Sequence, residues 1–132
     1  MKNLNKEEML LALAEIAVNV EAELDYKNNS VENNFKLLSL CEDLSCYEVN
    51  KLYAITSDYI SDVIENTYEQ ATDNDAIQII FRITRIKDNK IGYIRFRGRY
   101  SSWDSSEYYA CDVVYPRKIE TTIYETKLEK GE

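Results

Sequence analysis

The sequence predicts an α+β fold in which three N-terminal helices pack on one face of a C-terminal four-stranded antiparallel meander. Apolar residues recur at helical spacing as far as residue 67, and they recur at every second position after residue 76. One proline and three glycines indicate long regular elements rather than extended loops. Helices segregated from an antiparallel sheet define this class. The 132 residues fit a single domain with a helical part at 1–72 and a sheet at 76–128.

Helix one is predicted to begin after Asn5 and to end near Tyr26. Asn5 and Glu8 have the spacing of a capping box, in which each side chain bonds the other residue's backbone N–H. Asn28 and Asn29 then interrupt the helical period. The stripe expected to face the core follows the spacing three, four, three, four: Leu10, Leu13, Ala17, Val20 and Leu24. Such a stripe packs in the core or forms a dimer contact.

Helices two and three are predicted from two further capping signals. Ser30 caps helix two, whose apolar positions are Val31, Phe35, Leu38 and then Cys41 or Leu44. Ser45 to Glu48 has the form of a second capping box, so helix three is expected to begin there. Its apolar stripe reads Val49, Leu52, Tyr53, Thr56, Tyr59 or Ile60, Val63, Ile64 and Thr67.

The first two strands are predicted to form a hairpin around Asp88 and Asn89. A two-residue loop at these positions collects the large apolar side chains on one face and the arginines on the other. The expected pairs are Ile83 with Ile94, Phe81 with Phe96, and Ile79 with Gly98. A slip by one residue would mix the two faces, so the sequence favours this register.

A second turn at 101–106 is predicted to return the chain into a third strand. The expected pairs are Gly98 with Tyr109, Phe96 with Cys111, and Ile94 with Val113. This register places Tyr108 on the arginine-bearing face. Pro116 cannot donate to a ladder, so it predicts a corner, and residues 118–127 alternate as a fourth, edge strand.

Charge is distributed unevenly along a chain whose net charge is −8. Residues 1–75 hold five lysines against 16 acidic residues, a balance of −11, and residues 76–132 hold 11 basic against eight acidic residues, a balance of +3. The net charge disfavours direct binding to nucleic acid and to anionic membranes. The longest apolar run, at residues 9–14, is too short to cross a bilayer.

No catalytic, metal or cofactor motif is visible, so the sequence predicts a protein that is not an enzyme. The chain has no histidine, which excludes a Ser-His-Asp triad and leaves zinc only thiolates and carboxylates. Cys41, Cys46 and Cys111 lack CxxC spacing, and we interpret them as reduced packing residues. Reduced cysteines and the absence of a signal peptide indicate the cytoplasm.

The first candidate binding surface is the arginine-bearing face of the sheet. It combines guanidinium groups, which suit phosphate, with aromatic rings, which suit stacking. Its members are Arg82, Arg95, Arg97, Arg99, Tyr93 and Tyr108. The alternatives are a solvated face, with Asp112 beside Arg95 as a cross-strand partner, or a contact with the acidic helices of a second copy in a homodimer.

The second candidate surface is acidic and lies on predicted helix three. Asp58, Asp62, Glu65 and Glu69 follow the spacing four, three, four, so one helix face would carry all of them. Such a stripe could imitate a phosphate backbone in the basic groove of another protein, or it could serve solubility alone. Trp103 and Asp104 at the second turn are candidates for an interface anchor, unless Trp103 folds back onto its own hairpin.

The turn from Tyr100 to Tyr109, with its Ser-Ser-Trp-Asp run, and the strand through Val113-Val114-Tyr115-Pro116 resemble small accessory proteins of phages and mobile elements. The resemblance covers the last third of the chain. Some of those proteins are anti-CRISPR or other anti-defence inhibitors, and acidic mimicry of nucleic acid is one of their modes. The resemblance implies an inhibitor that acts in the cytoplasm of a host cell, and it assigns a role to no individual residue.

Two hypotheses of function follow. The first is a non-catalytic inhibitor or adaptor that binds a host protein, such as a nucleic-acid-handling one, through an acidic surface. The second is a module that uses the arginine-bearing face to bind a nucleotide, another phosphate ligand or nucleic acid.

Overall fold

The computed structural model describes residues 3–24, 27–42, 44–102 and 106–117, together with Thr122 and Tyr124. The helices are α1 (Lys6–Asn19), α2 (Val31–Leu40) and the four-residue α3 (Cys46–Val49), and a 3-10 turn spans Tyr68–Gln70. The strands are β1 (Leu44–Ser45), β2 (Ala54–Ile55), β3 (Tyr59–Asn66), β4 (Ala76–Arg85), β5 (Lys90–Arg99) and β6 (Glu107–Val114). They form one antiparallel sheet in the order β1-β6-β5-β4-β3-β2. The α+β class is confirmed, but the predicted four-stranded meander is wrong because the described residues alone form six strands in this sheet.

The predicted start of α1 is confirmed by its capping box. The Asn5 side chain accepts a hydrogen bond from the Glu8 backbone N–H at 2.8 Å, and the Glu8 carboxylate accepts from the Asn5 N–H at 3.0 Å. The helix ends at Asn19, earlier than the predicted end near Tyr26, which lies outside the described residues. The chain turns away at Glu21, whose φ of 53° is left-handed and incompatible with a continuing helix.

The start of α2 is also confirmed, since the Ser30 hydroxyl accepts from the Asn33 N–H at 3.2 Å. Leu38 is fully buried, as its place in the predicted stripe requires. The helix ends at Cys41, which adopts the left-handed conformation with φ 52°.

Predicted helix three is wrong beyond its first turn. Ser45 caps it as expected, but the helix ends at Val49, and β2 and β3 occupy most of the segment that follows. That segment is rich in isoleucine, valine and tyrosine, which favour strands, and its apolar residues fit both periodicities. Tertiary pairing decides between the two, because β3 bonds along β4 from the Tyr59–Arg85 pair to the Asn66–Ile79 pair. As a helix, this segment would leave the outer edge of β4 unpaired.

The β4–β5 hairpin has a longer turn than predicted. Arg85 pairs with Lys90, so four residues form the connection, and every predicted pair shifts by two positions. The observed pairs are Ile83 with Gly92, Phe81 with Ile94, and Ile79 with Phe96. A shift of two preserves the face on which each side chain lies, so the predicted separation of apolar residues from arginines is confirmed.

A β-bulge changes the register between β5 and β6. Phe96 pairs with Cys111 and Ile94 with Val113, as predicted, but Gly98 pairs with Tyr108 instead of Tyr109. A Cβ atom on Gly98 would lie 2.0 Å from the Glu107 carbonyl oxygen, so only glycine permits this approach. β6 ends at Val114, ahead of Pro116. The predicted fourth strand at 118–127 falls almost wholly outside the described residues.

The core lies between the helices and one face of the sheet, which we call the inner face. Phe81, Phe96 and Tyr108 form a chain of edge-to-face contacts with ring centroids 6.0 and 6.3 Å apart. α1 reaches the backbone of β5 at Gly92, where an added Cβ would lie 2.6 Å from the Met9 sulfur. Other fully buried members are Leu13, Ile16, Leu38, Leu52, Ile77, Ile79, Ile83 and Ile94.

Candidate binding surface on the outer face of the sheet

The opposite face of the sheet, which we call the outer face, brings parts of both predicted surfaces together. Its side chains are those that alternate with the buried positions of β4 and β5, together with their paired neighbours. They form rows across the strands: Ile55, Ile60, Thr84 and Ile91; Asp62, Arg82, Tyr93 and Val114; Glu65, Ile80, Arg95 and Asp112; Gln78, Arg97 and Ala110; Ala76, Arg99 and Glu107.

Asp62 and Arg82 show how the two surfaces become one. Sequence reasoning places Asp62 on an acidic helix and Arg82 on a separate sheet, but β3 pairs the two residues directly. The guanidinium Nη2 donates to the Asp62 carboxylate at 2.9 Å. This hydrogen bond stabilises the protonated guanidinium and raises the pKa of Arg82. Tyr93 stands opposite Arg82 on the neighbouring strand.

A second cluster of ion pairs joins β5 to β6. Arg95 Nη2 donates to the Asp112 carboxylate at 2.7 Å, and Arg97 Nε lies 3.5 Å from the other oxygen of the same carboxylate. The Arg95–Asp112 pair is the cross-strand contact expected for a solvated face. These half-exposed ion pairs are worth roughly 0–1 kcal/mol each, so their main effect is to fix where the guanidinium groups lie.

The outer face is therefore balanced in charge. Glu65 stands opposite Ile80 and accepts a hydrogen bond from Gln78, and Glu107 stands opposite Arg99. Among the described residues, four carboxylates thus accompany the four arginines of this face. A surface without excess positive charge holds phosphate weakly, because neighbouring carboxylates compete for each guanidinium group.

Apolar side chains alternate with these charges. Ile55 on the edge strand β2 is 78% exposed, and it faces Ile60 across the β2–β3 pair. Ile64 is the extra residue of the β3 bulge and is also exposed. No described segment packs over these residues, so the outer face presents apolar area to solvent.

Tyr108 does not belong to the outer face, contrary to the predicted register. The bulge turns its side chain into the core, where it is 0% exposed and its hydroxyl donates to the Asn50 side chain at 3.1 Å. Burial raises its pKa, and the neighbouring Cys46 raises it further. Tyr109 is the exposed tyrosine at this position, at 56%. A glycine inside the strand, Gly98, is the sequence signal that could have indicated a bulge.

A groove of about 360 Å³ opens beside this bulge. Arg97, which also contacts Asp112, lines it. The residues around it are Thr67, Ala76, Ile77, Gln78, Arg97, Gly98 and Tyr109. This groove combines one guanidinium, one amide, one hydroxyl and one exposed aromatic ring.

The predicted acidic stripe is dispersed by the replacement of helix three. Asp62 and Glu65 lie on β3, Asp58 precedes that strand, and Glu69 lies in the 3-10 turn. Asp58 instead lies near Glu15 of α1, whose pKa is raised by burial and by this like charge. Trp103 and Asp104 lie outside the described residues.

Arg85 is a residue that sequence reasoning missed. It donates to Asp88 at 2.7 Å and to Glu8 at 2.8 Å, so it joins the β4–β5 turn to the N-terminus of α1. The guanidinium hydrogen bonds hold the pKa of Asp88 at about 2. Both contacts lie at the end of the hairpin, away from the groove.

Within the described ranges, no three or more histidine, cysteine or acidic side chains are grouped in a way that could hold a metal ion. The helices described here are all too short or too polar to cross a membrane. No protein-family model, curated protein or solved structure matches the chain.

Proposed function

We propose that this protein is a non-catalytic inhibitor or adaptor that binds a protein partner through the outer face of its sheet. The observation that carries the proposal is the composition of that face, where arginine, tyrosine and isoleucine side chains lie together without excess charge. Arginine and aromatic residues are enriched in protein interfaces, and the centres of interfaces are poor in unpaired charge.

The internal ion pairs favour recognition by rigid docking. Asp62 holds Arg82, and Asp112 holds Arg95 and Arg97, before any partner arrives. Side chains already held in place lose less conformational entropy when an interface forms. The sheet presents them on hydrogen-bonded strands, which are more rigid than loops.

Charge supports a partner with a basic surface around the contact. The outer face is balanced, so the net charge of −8 arises elsewhere, and residues 1–50 alone hold four lysines against ten acidic residues. Opposite charge around an interface accelerates association and makes it sensitive to salt. Nucleic-acid-handling proteins have such surfaces, and the resemblance to phage accessory proteins supports a complex of this kind in a host cytoplasm as the target.

Capture from a host lysate tests this proposal. We expect a partner at defined stoichiometry, weakened by salt, and an affinity loss of about tenfold for Tyr93→Ala, as a tyrosine contributing 1–2 kcal/mol to an interface would give. Tyr47→Ala is the matched control, because Tyr47 is an exposed tyrosine on α3. Equal binding by both variants would refute the proposed surface. Capture of a second copy of the chain would replace the host partner with a homodimer.

The groove beside the bulge favours one second candidate, a binding site for a small phosphorylated ligand. Arg97 and Gln78 could bind phosphate oxygens while Tyr109 stacks on a base. A nucleotide panel should then raise Tm for the wild type and for Arg82→Ala, but not for Arg97→Ala. A flat Tm across the panel removes this candidate.

A further inference from the structure

Cys41 and Cys111 are distant in sequence and meet in the core. Cys41 ends α2, and Cys111 lies on the inner face of β6 opposite Phe96. The Cys41 thiol donates to the Leu38 carbonyl oxygen at 2.7 Å, and the Cys111 sulfur lies 4.0 Å from the same oxygen. The two sulfurs therefore lie beside the same carbonyl oxygen, and each thiol shifts the pKa of the other. Both cysteines are free and buried, with exposures of 4% and 9%.

The two thiols shift each other's pKa in opposite directions, and the nearby Lys6 ammonium lowers the pKa of both. The contact with Cys41 and the nearby Lys6 ammonium lower the pKa of Cys111, while burial and the adjacent Asp112 oppose them. The contact with Cys111 and burial raise the pKa of Cys41. Two coupled thiols share their titration, so the pair loses its first proton more readily than an isolated buried thiol does. Thiolate is the reactive form of cysteine.

Cys46 provides the internal comparison. It is as buried as the other two, but its thiol contacts Tyr108, and burial raises its pKa to about 12. A thiol in this state does not react at neutral pH. The three cysteines therefore divide into one inert thiol and one close pair beside a cation.

We propose that Cys41 and Cys111 form an oxidisable dithiol that a small hydroperoxide converts into an intramolecular disulfide. The Cys111 thiolate attacks the peroxide, so an S–O bond forms, the O–O bond breaks and hydroxide leaves as water after taking a proton. Cys41 then attacks the sulfenic sulfur, the S–S bond forms, and the S–O bond breaks with loss of a second water. Two thiols lose two electrons, which reduce one peroxide to two waters.

Burial of the pair determines the class of oxidant. Hydrogen peroxide is small enough to approach the sulfur of Cys111, a residue that is 9% exposed, whereas glutathione disulfide must first attach a tripeptide to it. The packed surroundings of Phe96 and Leu38 leave no room for that adduct without opening the core. The product would join the end of α2 covalently to β6.

Peptide mapping of the full-length folded protein tests the proposal. The reduced protein is treated with one equivalent of hydrogen peroxide, alkylated under denaturing conditions and digested. We expect a mass loss of two hydrogens, a Cys41–Cys111 crosslinked peptide, full alkylation of Cys46, and reversal by dithiothreitol. Glutathione disulfide at the same concentration should react more slowly. A crosslink that includes Cys46, or no crosslink while Cys111 oxidises to sulfinic acid, would overturn the proposal.

Four variants test the roles of the cysteines and of Lys6. Cys46→Ser should keep the crosslink, and Cys41→Ser should leave a sulfenic acid on Cys111 that dimedone traps when it is present as the protein is denatured. Lys6→Gln should slow oxidation near neutral pH by about threefold, since a higher thiol pKa lowers the thiolate fraction more than it raises nucleophilicity. It should also move the pH–rate profile to higher pH, whereas Lys6→Arg should restore it. An unchanged profile in Lys6→Gln would remove Lys6 from the mechanism.

Discussion

The two faces of the sheet consist of the same strands but differ in how they are stabilised. Along β5, Ile94 and Phe96 lie inside and are fully buried, whereas Arg95 and Arg97 lie outside and share one carboxylate. Burial of apolar area stabilises the inner face, and half-exposed ion pairs contribute little to the outer one. Most of the free energy that stabilises the sheet therefore comes from the inner face. Side chains of the outer face can be selected for binding, as proposed above, with little loss of stability.

The largest expected effect is the difference in unfolding free energy between variants of two neighbouring residues on β5, Phe96 and Arg97. Phe96→Ala removes a ring that packs between Phe81 and Tyr108, and it should lower the free energy of unfolding by about 3–5 kcal/mol. Arg97→Ala should lower it by less than about 1 kcal/mol. Urea denaturation of both variants measures the difference. Similar losses in the two variants would contradict the division between the faces.

The next largest expected effect is a loss of stability when the glycine at the β5–β6 bulge is replaced. Gly98→Ala places a methyl group against the Glu107 carbonyl and should cost about 1–3 kcal/mol through overpacking. Gly92→Ala meets the flexible Met9 side chain first and should cost less. Thermal unfolding of the two variants compares them, and a more damaging change at Gly92 would show that the bulge is not closely packed.

Substitutions of the adjacent Tyr108 and Tyr109 test which of the two tyrosines faces the core. Tyr108→Phe leaves the Asn50 side chain without its hydrogen bond and should lower the unfolding free energy by about 1 kcal/mol. Tyr109→Phe should change it by less than about 0.5 kcal/mol, as exposed substitutions usually do. Urea denaturation of both variants measures the two losses. A larger loss for Tyr109→Phe would support the predicted register, which has no bulge.

The smallest expected effect is a change in how Tm depends on acidic pH. Asp88 has a folded pKa of about 2, below the value of about 3.9 expected for an unfolded chain. Its ion pair with Arg85 therefore contributes stability above about pH 4 and loses it as the pH falls towards 2. Asp88→Asn should show a shallower fall in Tm than wild type across this range. An unchanged slope would mean that the pair with Arg85 does not stabilise the fold.

Local sequence signals were sufficient to predict where the first two helices begin and on which face each side chain of β4 and β5 lies. The capping residues Asn5 and Ser30 act within one turn, so their effect can be recognised without the rest of the molecule. Alternation likewise assigns each side chain of a strand to a face. The exact pairing of β4 with β5 was not accessible, because a shift of two residues preserves that assignment.

The candidate surface was predicted only in its parts. Arg82, Arg95, Arg97, Arg99 and Tyr93 do share a face. The ion pair of Arg82 with Asp62 and the presence of Glu65 on this face were missed because both carboxylates lie on a segment whose spacing also fits a helix. Tyr109 was missed because the predicted register omitted the bulge.

The sequence by itself determined the α+β class, the first two helix caps and the separation of apolar residues from arginines, because these depend on neighbours within a few positions. The tertiary structure decided the rest. It made residues 59–66 a strand because β4 had an unpaired edge, and it turned Tyr108 inward because Gly98 allowed the chains to approach. Partners distant in the chain supply these energies, so local periodicity cannot reveal them.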